Sequence, residues 1–238
     1  MKILAVECSA SPASAAILDD KKIIGSAYVN VKLTHSQTLL TMVENILSFS
    51  KTDLKDIEGF AISYGPGSFT GIRIGISAVK GLAASRNLPC VGVSTLFAMA
   101  QNHSDADCIV CAVMDARCNQ VYNAIFEIKD GKILRLCEDR ALMCDELSEK
   151  IKKVSQNSEK RVIIIGDGSE IFYPFVCDLP NVQLAAPQNR FQNAVGVGLS
   201  AVESFNSGNT VTPDKLLPFY LRPPQAEREL KKKKGEIQ

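Results

Sequence analysis

Short apolar runs and helical stripes alternate along the chain, and their order predicts an α/β protein. Residues 3–6, 13–18 and 23–31 are apolar or alternate in polarity, with Asp19-Asp20-Lys21-Lys22 as a turn, so they read as an antiparallel meander of three strands. Thr34 and Gln37 have capping-box spacing, and Leu39, Leu40, Val43, Ile46 and Leu47 then recur at helical period. Met42 and Phe49 add apolar surface beside that stripe. Residues 59–64 read as a buried strand, 76–86 as a helix and 89–93 as a fifth strand, with Ser94 placed to cap a helix over 95–101. The second half predicts strands over 108–114, 121–128 and 132–137, with Asp130-Gly131 as a hairpin turn. A helix over 145–154, a buried strand over 161–165 and a long helix over 194–205 follow.

Each half therefore reads as three strands, helix, strand, helix. Two such halves predict two lobes, 1–104 and 105–211, with a cleft between them. This is the duplicated architecture of the actin-like ATPase superfamily (ASKHA, ribonuclease-H-like). Residues 212–224 are proline-punctuated and apolar enough to dock on the body. Residues 225–238, with Lys231 to Lys234 consecutive, read as a solvated, disordered basic tail.

Composition excludes several classes. A net charge of +1, with 46% hydrophobic and 22% charged residues, supports a real core and gives no global pull toward nucleic acid or membrane. No apolar run approaches the ~18 residues a membrane span needs, and Glu7 comes too early for a secretory signal, so a cytoplasmic protein is expected. Most of the eight cysteines lie in apolar runs and read as reduced core residues. Cys108 and Cys111 have CxxC spacing, but on a strand they point to opposite faces.

The stretch Gly65-Pro66-Gly67-Ser68-Phe69-Thr70-Gly71-Ile72-Arg73-Ile74-Gly75 joins a strand to a helix, a place suited to phosphate. It lacks the lysine and spacing of a Walker loop, and Ser68 is out of register for a nucleophile elbow. An actin-type nucleotide site needs an acid and glycines in the hairpin opening each lobe. Glu7 and Ser9 stand in the first hairpin and Asp115 in the second, but neither hairpin has a glycine and the second carries bulky Arg117. With Gly166 and Gly168, placed to receive an adenosine, these residues outline a vestigial nucleotide cleft. A weak ATPase or phosphotransferase using Glu7 and Asp115 is the alternative function. His35 and His103 are too few for a paired-His metal site and read as surface or capping residues. No catalytic residue, metal or cofactor is expected, beyond a weakly held adenine nucleotide at a subunit junction.

On the helix after the glycines, Gly71, Gly75, Ala78 and Leu82 form a flat face, while Ile72, Ile76, Val79 and Ala83 form an apolar one. One apolar face suffices to pack on a sheet. The flat face, with Ile74 and with Leu39, Met42, Val43, Ile46 and Phe49 of the earlier helix, is the expected interface with another chain.

The glycine stretch, followed by Ala78-Val79-Lys80-Gly81-Leu82-Ala83, closely resembles the TsaB (YeaZ) family of bacterial tRNA-modification proteins. Ile3-Leu4-Ala5-Val6-Glu7-Cys8-Ser9, His35-Ser36-Gln37-Thr38-Leu39-Leu40, Asp115-Ala116-Arg117 with Val121-Tyr122, and Pro218-Phe219-Tyr220-Leu221-Arg222 extend the likeness to residue 222. Glu7 stands where most of the family has Asp. The resemblance implies an actin-like fold with a degenerate second lobe and work in making threonylcarbamoyladenosine in tRNAs that read codons starting with A. The related transferase TsaD carries an Asn-His-x-x-x-His metal motif; aligned on Gly92-Val93 it falls on residues 94–99, with Thr95 and Met99 at the histidine positions. The implied partners are a TsaD-like transferase, a TsaE-like ATPase, a second copy when alone, and tRNA indirectly through the complex. Direct tRNA binding by Lys231 to Lys234 is a minor alternative.

Overall fold

The computed structural model describes residues 1–31 and 33–222, so the expected tail at 225–238 lies outside the described residues. The first half runs β1 (Lys2–Glu7), β2 (Ala13–Asp19), β3 (Lys22–Val29), α1 (His35–Phe49), β4 (Gly59–Gly65), α2 (Phe69–Ala84), β5 (Cys90–Ser94) and α3 (Thr95–Ala100). Its strands form one sheet in the order β3-β2-β1-β4-β5. The expected meander is present: β1–β2 and β2–β3 pair antiparallel, while β4 joins β1 and β5 joins β4 in parallel. Gln37 accepts the Thr34 N–H at 3.3 Å, as in a capping box, and Ser94 Oγ accepts the Phe97 N–H at 3.3 Å.

The second half runs β6 (Cys108–Asp115), β7 (Gln120–Lys129), β8 (Lys132–Arg135), β9 (Arg140–Met143), α4 (Cys144–Gln156), β10 (Val162–Ile165), α5 (Ser169–Phe172), β11 (Val182–Leu184), α6 (Pro187–Arg190) and α7 (Ala194–Asn206). The sheet order is β11-β10-β6-β7-β8, with β9 also paired to β7. Two strands go beyond the pattern reading. β9 and β11 are short and half-exposed, so neither carries a strong apolar alternation. Asp130 and Gly131 both take positive φ, as the tight β7–β8 turn requires. Cys108 and Cys111 face opposite sides of β6, one in each of the two clusters that flank the sheet.

Two helices cross between the halves. Leu96, Met99 and Ala100 of α3 pack under the second sheet with Val110, Ala112 and Phe126. Ala194, Val197, Ala201 and Val202 of α7 pack on the first sheet with Ile3, Ala5, Leu18 and Ala61. A boundary at residue 104 therefore cuts the sequence but not the packing, because each sheet's helix layer borrows from the other half. Among the described residues, no helix is long and apolar enough to cross a membrane.

Candidate functional site

The C-terminal ends of β1 and β6 face each other across a cleft of about 890 Å³. Ser9, Ser11, His35, Ser68, Phe69 and Thr70 line it from the first half, and Asp115, Arg117, Tyr122 and Asp167 from the second. The expected vestigial set separates here. Ser9 and Asp115 do line the cleft. Glu7 lies below the lining, fully buried, with its Oε1 accepting the Ser9 N–H at 2.6 Å. Burial raises its carboxyl above the usual carboxylate range, against the opposing pull of the Ser9 N–H. Gly166 and Gly168 do not line the cleft. Their missing side chains let the loop after β10 press on β6: a Cβ on Gly166 would overlap the Val113 carbonyl oxygen, and one on Gly168 would sit 2.7 Å from the Asp115 nitrogen.

That close approach presents Asp167, which the sequence offered only as the residue between two glycines. Its carboxylate accepts from Gln192 Nε2 at 2.5 Å. Burial first, then the neighbouring charges of Asp115 and Glu7, raise its pKa to about 6. The second hairpin lacks glycine, yet Arg117, Cys118 and Asn119 all take positive φ. Each such residue costs about 1–2 kcal/mol, and an Asp115 Oδ1 bond from the Arg117 N–H at 2.7 Å helps hold the turn. His103 is not a surface residue, and His35 is half-buried at the start of α1. His35 Nε2 meets the Ala10 carbonyl at 2.8 Å on the cleft wall. His103 is buried against the Asn189 carbonyl at 3.2 Å, and burial lowers its pKa.

The glycine stretch works inside the chain. Helix α2 begins at Phe69, within the stretch rather than at Ile76, because Ser68 caps it by accepting the Gly71 N–H at 3.3 Å. Gly71 and Gly75, expected on an outward flat face, are buried. A Cβ on Gly71 would overlap the Cys8 carbonyl oxygen; one on Gly75 would overlap Cys8 Sγ and lie 2.8 Å from Ile62 Cδ1. The Ser68 N–H donates to the Ser9 carbonyl at 2.6 Å, completing the join between α2 and the end of β1.

Gly65 serves the C-terminal segment, where a Cβ would overlap the Phe219 carbonyl oxygen. Over residues 212–222 that segment lies against the body. The Phe219 N–H donates to the Tyr64 carbonyl at 2.8 Å, Tyr220 stacks on Phe69 at 4.5 Å, and Arg73 Nε donates to the Tyr220 hydroxyl at 2.7 Å. Arg222 then bonds Gln120 in the second half.

Of the residues expected at a partner interface, Leu39, Met42, Val43 and Ile46 belong to the core beneath α1. Helical period alone could not tell an inward stripe from an outward one. Phe49 is 85% exposed and Leu40 48%. On α2, Ile74, Ala78 and Leu82 are half-buried, and Gly81 faces open space.

A family model described as TsaD, tRNA N6-adenosine threonylcarbamoyltransferase, matches residues 29–209. The Escherichia coli protein named tRNA threonylcarbamoyladenosine biosynthesis protein TsaB is 32% identical over 93% of this chain and 95% of its own length. This chain belongs to the TsaB family. The TsaB relative called YeaZ, from Pseudomonas aeruginosa, superposes with a TM-score of 0.76 at 26% identity, over 92% of this chain and 99% of that one. Component A of the (R)-2-hydroxyglutaryl-CoA dehydratase of Acidaminococcus fermentans superposes with a TM-score of 0.51 at 12% identity, over 86% and 98% of the two chains, and shows the fold alone. The TsaB chain thus has the duplicated α/β fold of the actin-like ATPase superfamily. In this member Thr95 and Met99, which resemblance aligns with the TsaD histidines, are both buried, and Met99 packs in the core under the second sheet.

Proposed function

We propose that this chain acts in tRNA threonylcarbamoyladenosine biosynthesis as a non-catalytic partner of a TsaD-like transferase, in an assembly with a TsaE-like ATPase. The observation that carries the reading is the pair Thr95 and Met99. A thioether buried among Leu96, Ala112 and Phe126 cannot stand in for an imidazole ligand at a catalytic metal. The same pair argues against transfer chemistry by this chain itself.

The docking face is the outer side of α1 and α2. Phe49, Leu40, Ile74, Ala78 and Leu82 supply apolar surface, and Gly81 supplies a flat spot where another helix can come close. The same face joins two copies when the partner is absent. Gly71 and Gly75 support it indirectly, by seating α2 on β1.

Light scattering of the chain alone and mixed with a TsaD-like subunit tests this. A homodimer that gives way to a heterodimer is expected, and Gly81→Leu, whose Cβ meets no atom within 4 Å in the free chain, should abolish both. A mass unchanged by Gly81→Leu removes the interface. Threonylcarbamoyl transfer that proceeds undiminished without this chain removes the function. The cleft carboxylates favour one other reading, a weak ATPase; ATP turnover by the purified chain that is lost in Asp115→Ala would support it instead.

A further inference from the structure

The halves are joined in more than one place, and the links differ in where they act. Helices α3 and α7 each pack on the sheet of the other half. Side chains stitch the same region: the Ala194 N–H donates to Ser14 Oγ at 2.8 Å, and Ser94 Oγ donates to Asp139 at 2.6 Å. None of these four residues lines the cleft. The C-terminal segment is a link of another kind, because it touches both cleft walls. Tyr220 stacks on Phe69, a lining residue of the first wall, at 4.5 Å. Arg222 bonds Gln120, just before Val121 and the second-wall lining residue Tyr122. Between them Leu221 packs against the cluster under the second sheet, whereas Leu216 is buried in the cluster beneath α1 and α2. Gly67, Phe69 and Tyr122 line both the cleft and a narrow notch in which residues 219–222 lie.

The two parts of the segment are held unequally. Pro213 and Leu216 are buried, and Lys80 Nζ of α2 donates to the Asp214 carbonyl at 3.1 Å. Beyond them Leu217 is 66% exposed and Phe219 36%, and Tyr220, Leu221 and Arg222 are half-buried. Stretches with few buried apolar contacts release locally, at a fraction of the cost of global unfolding. Residues 217–222 can therefore lift from the walls while residues 212–216 stay seated and both sheets stay folded.

We propose that residues 217–222 form a strap across one end of the cleft. Docked, the strap holds the two walls at a fixed separation; lifted, it lets them move apart. Its anchors, Tyr220 on the first wall and Arg222 on the second, flank a single residue, so their Cα atoms stay within about 7.6 Å of each other. The walls cannot separate at that end while both anchors are made. The inference does not depend on the partner role proposed above.

Spin labels on the cleft rim test it in the full chain. Exposed Cys118 of the second hairpin takes one label and Ser11→Cys of the first takes the other, with exposed Cys177 replaced by serine. The labelled chain is diluted into unlabelled chain, so that pulsed-resonance distances report one molecule. The parent should give one narrow distribution. In Tyr220→Ala combined with Arg222→Ala, the mean should lengthen by more than about 2 Å and the distribution widen. Gly81→Ala, on the outer side of α2, should match the parent. If the double variant does not fold, Arg222→Ala alone, which frees the second wall, should give the same lengthening. A distance unchanged or shortened in the double variant, or in Arg222→Ala where the double variant does not fold, overturns the inference.

Discussion

Replacing Gly71 by alanine adds one methyl group at the join between α2 and β1. In an open helix interior the change is favourable by up to about 1 kcal/mol, because glycine loses more backbone entropy than alanine. Here the methyl overlaps the Cys8 carbonyl oxygen and comes within 3.0 Å of His35 Cδ2. The first obstacle is backbone and cannot rotate aside. The start of α2 must therefore lift from β1, which strains the bond from Cys8 Sγ to the Gly71 carbonyl at 3.1 Å and that from the Ser68 N–H to the Ser9 carbonyl. Overpacking of this kind costs about 1–3 kcal/mol, and a weakened hydrogen bond about 1 more. With the helix gain set against them, the net loss is about 1–3 kcal/mol, or about 2–12 °C in a chain of this size. Urea unfolding at several protein concentrations measures it and separates any contribution from dimer formation. Gly81→Ala is the control: its methyl meets nothing within 4 Å, so it should gain up to about 1 kcal/mol. If Gly71→Ala is as stable as the parent while Gly81→Ala gains, the account of the glycine stretch as an intrachain join is wrong.

Three further outcomes are expected. Tyr220→Ala loses the stack on Phe69 and the Arg73 bond, costs about 1–2 kcal/mol, and should speed proteolysis after residue 210; an unchanged cleavage rate would mean that the segment is held elsewhere. Asp167 has a folded pKa of about 6, above its unfolded value, so its contribution to stability is fully present below about pH 4 and is lost as pH rises through about 6, a swing of about 3 kcal/mol; Asp167→Asn should flatten that slope in urea unfolding followed against pH, and a slope unaltered by the substitution refutes the assignment. Phe49→Ser removes an 85% exposed ring, so stability should hold within about 0.5 kcal/mol while sedimentation shows a weaker dimer; an equally tight dimer would take Phe49 out of the interface.

Local order was legible in the chain. Period and turn chemistry located the meander of β1 to β3, the cap at Ser94, the β7–β8 turn at Asp130-Gly131 and the opposite facing of Cys108 and Cys111, because each depends on neighbours within a few residues. The long run of matching residues was also enough to point to the TsaB family. What escaped was whatever depends on a contact between distant segments. Small residues on one side of α2 suit a second subunit or the chain's own β1 equally well, and only the placement of Cys8 and Ile62 shows that Gly71 and Gly75 face inward. Asp167 became part of the cleft because two glycines let its loop press on β6. The exchange of α3 and α7 between the sheets has no local signature, since an apolar stripe does not name the sheet it will cover. Sequence determined the longer elements and the family; the tertiary structure decided which faces met, because a helix face or a carboxylate acquires its role only from the segment packed against it.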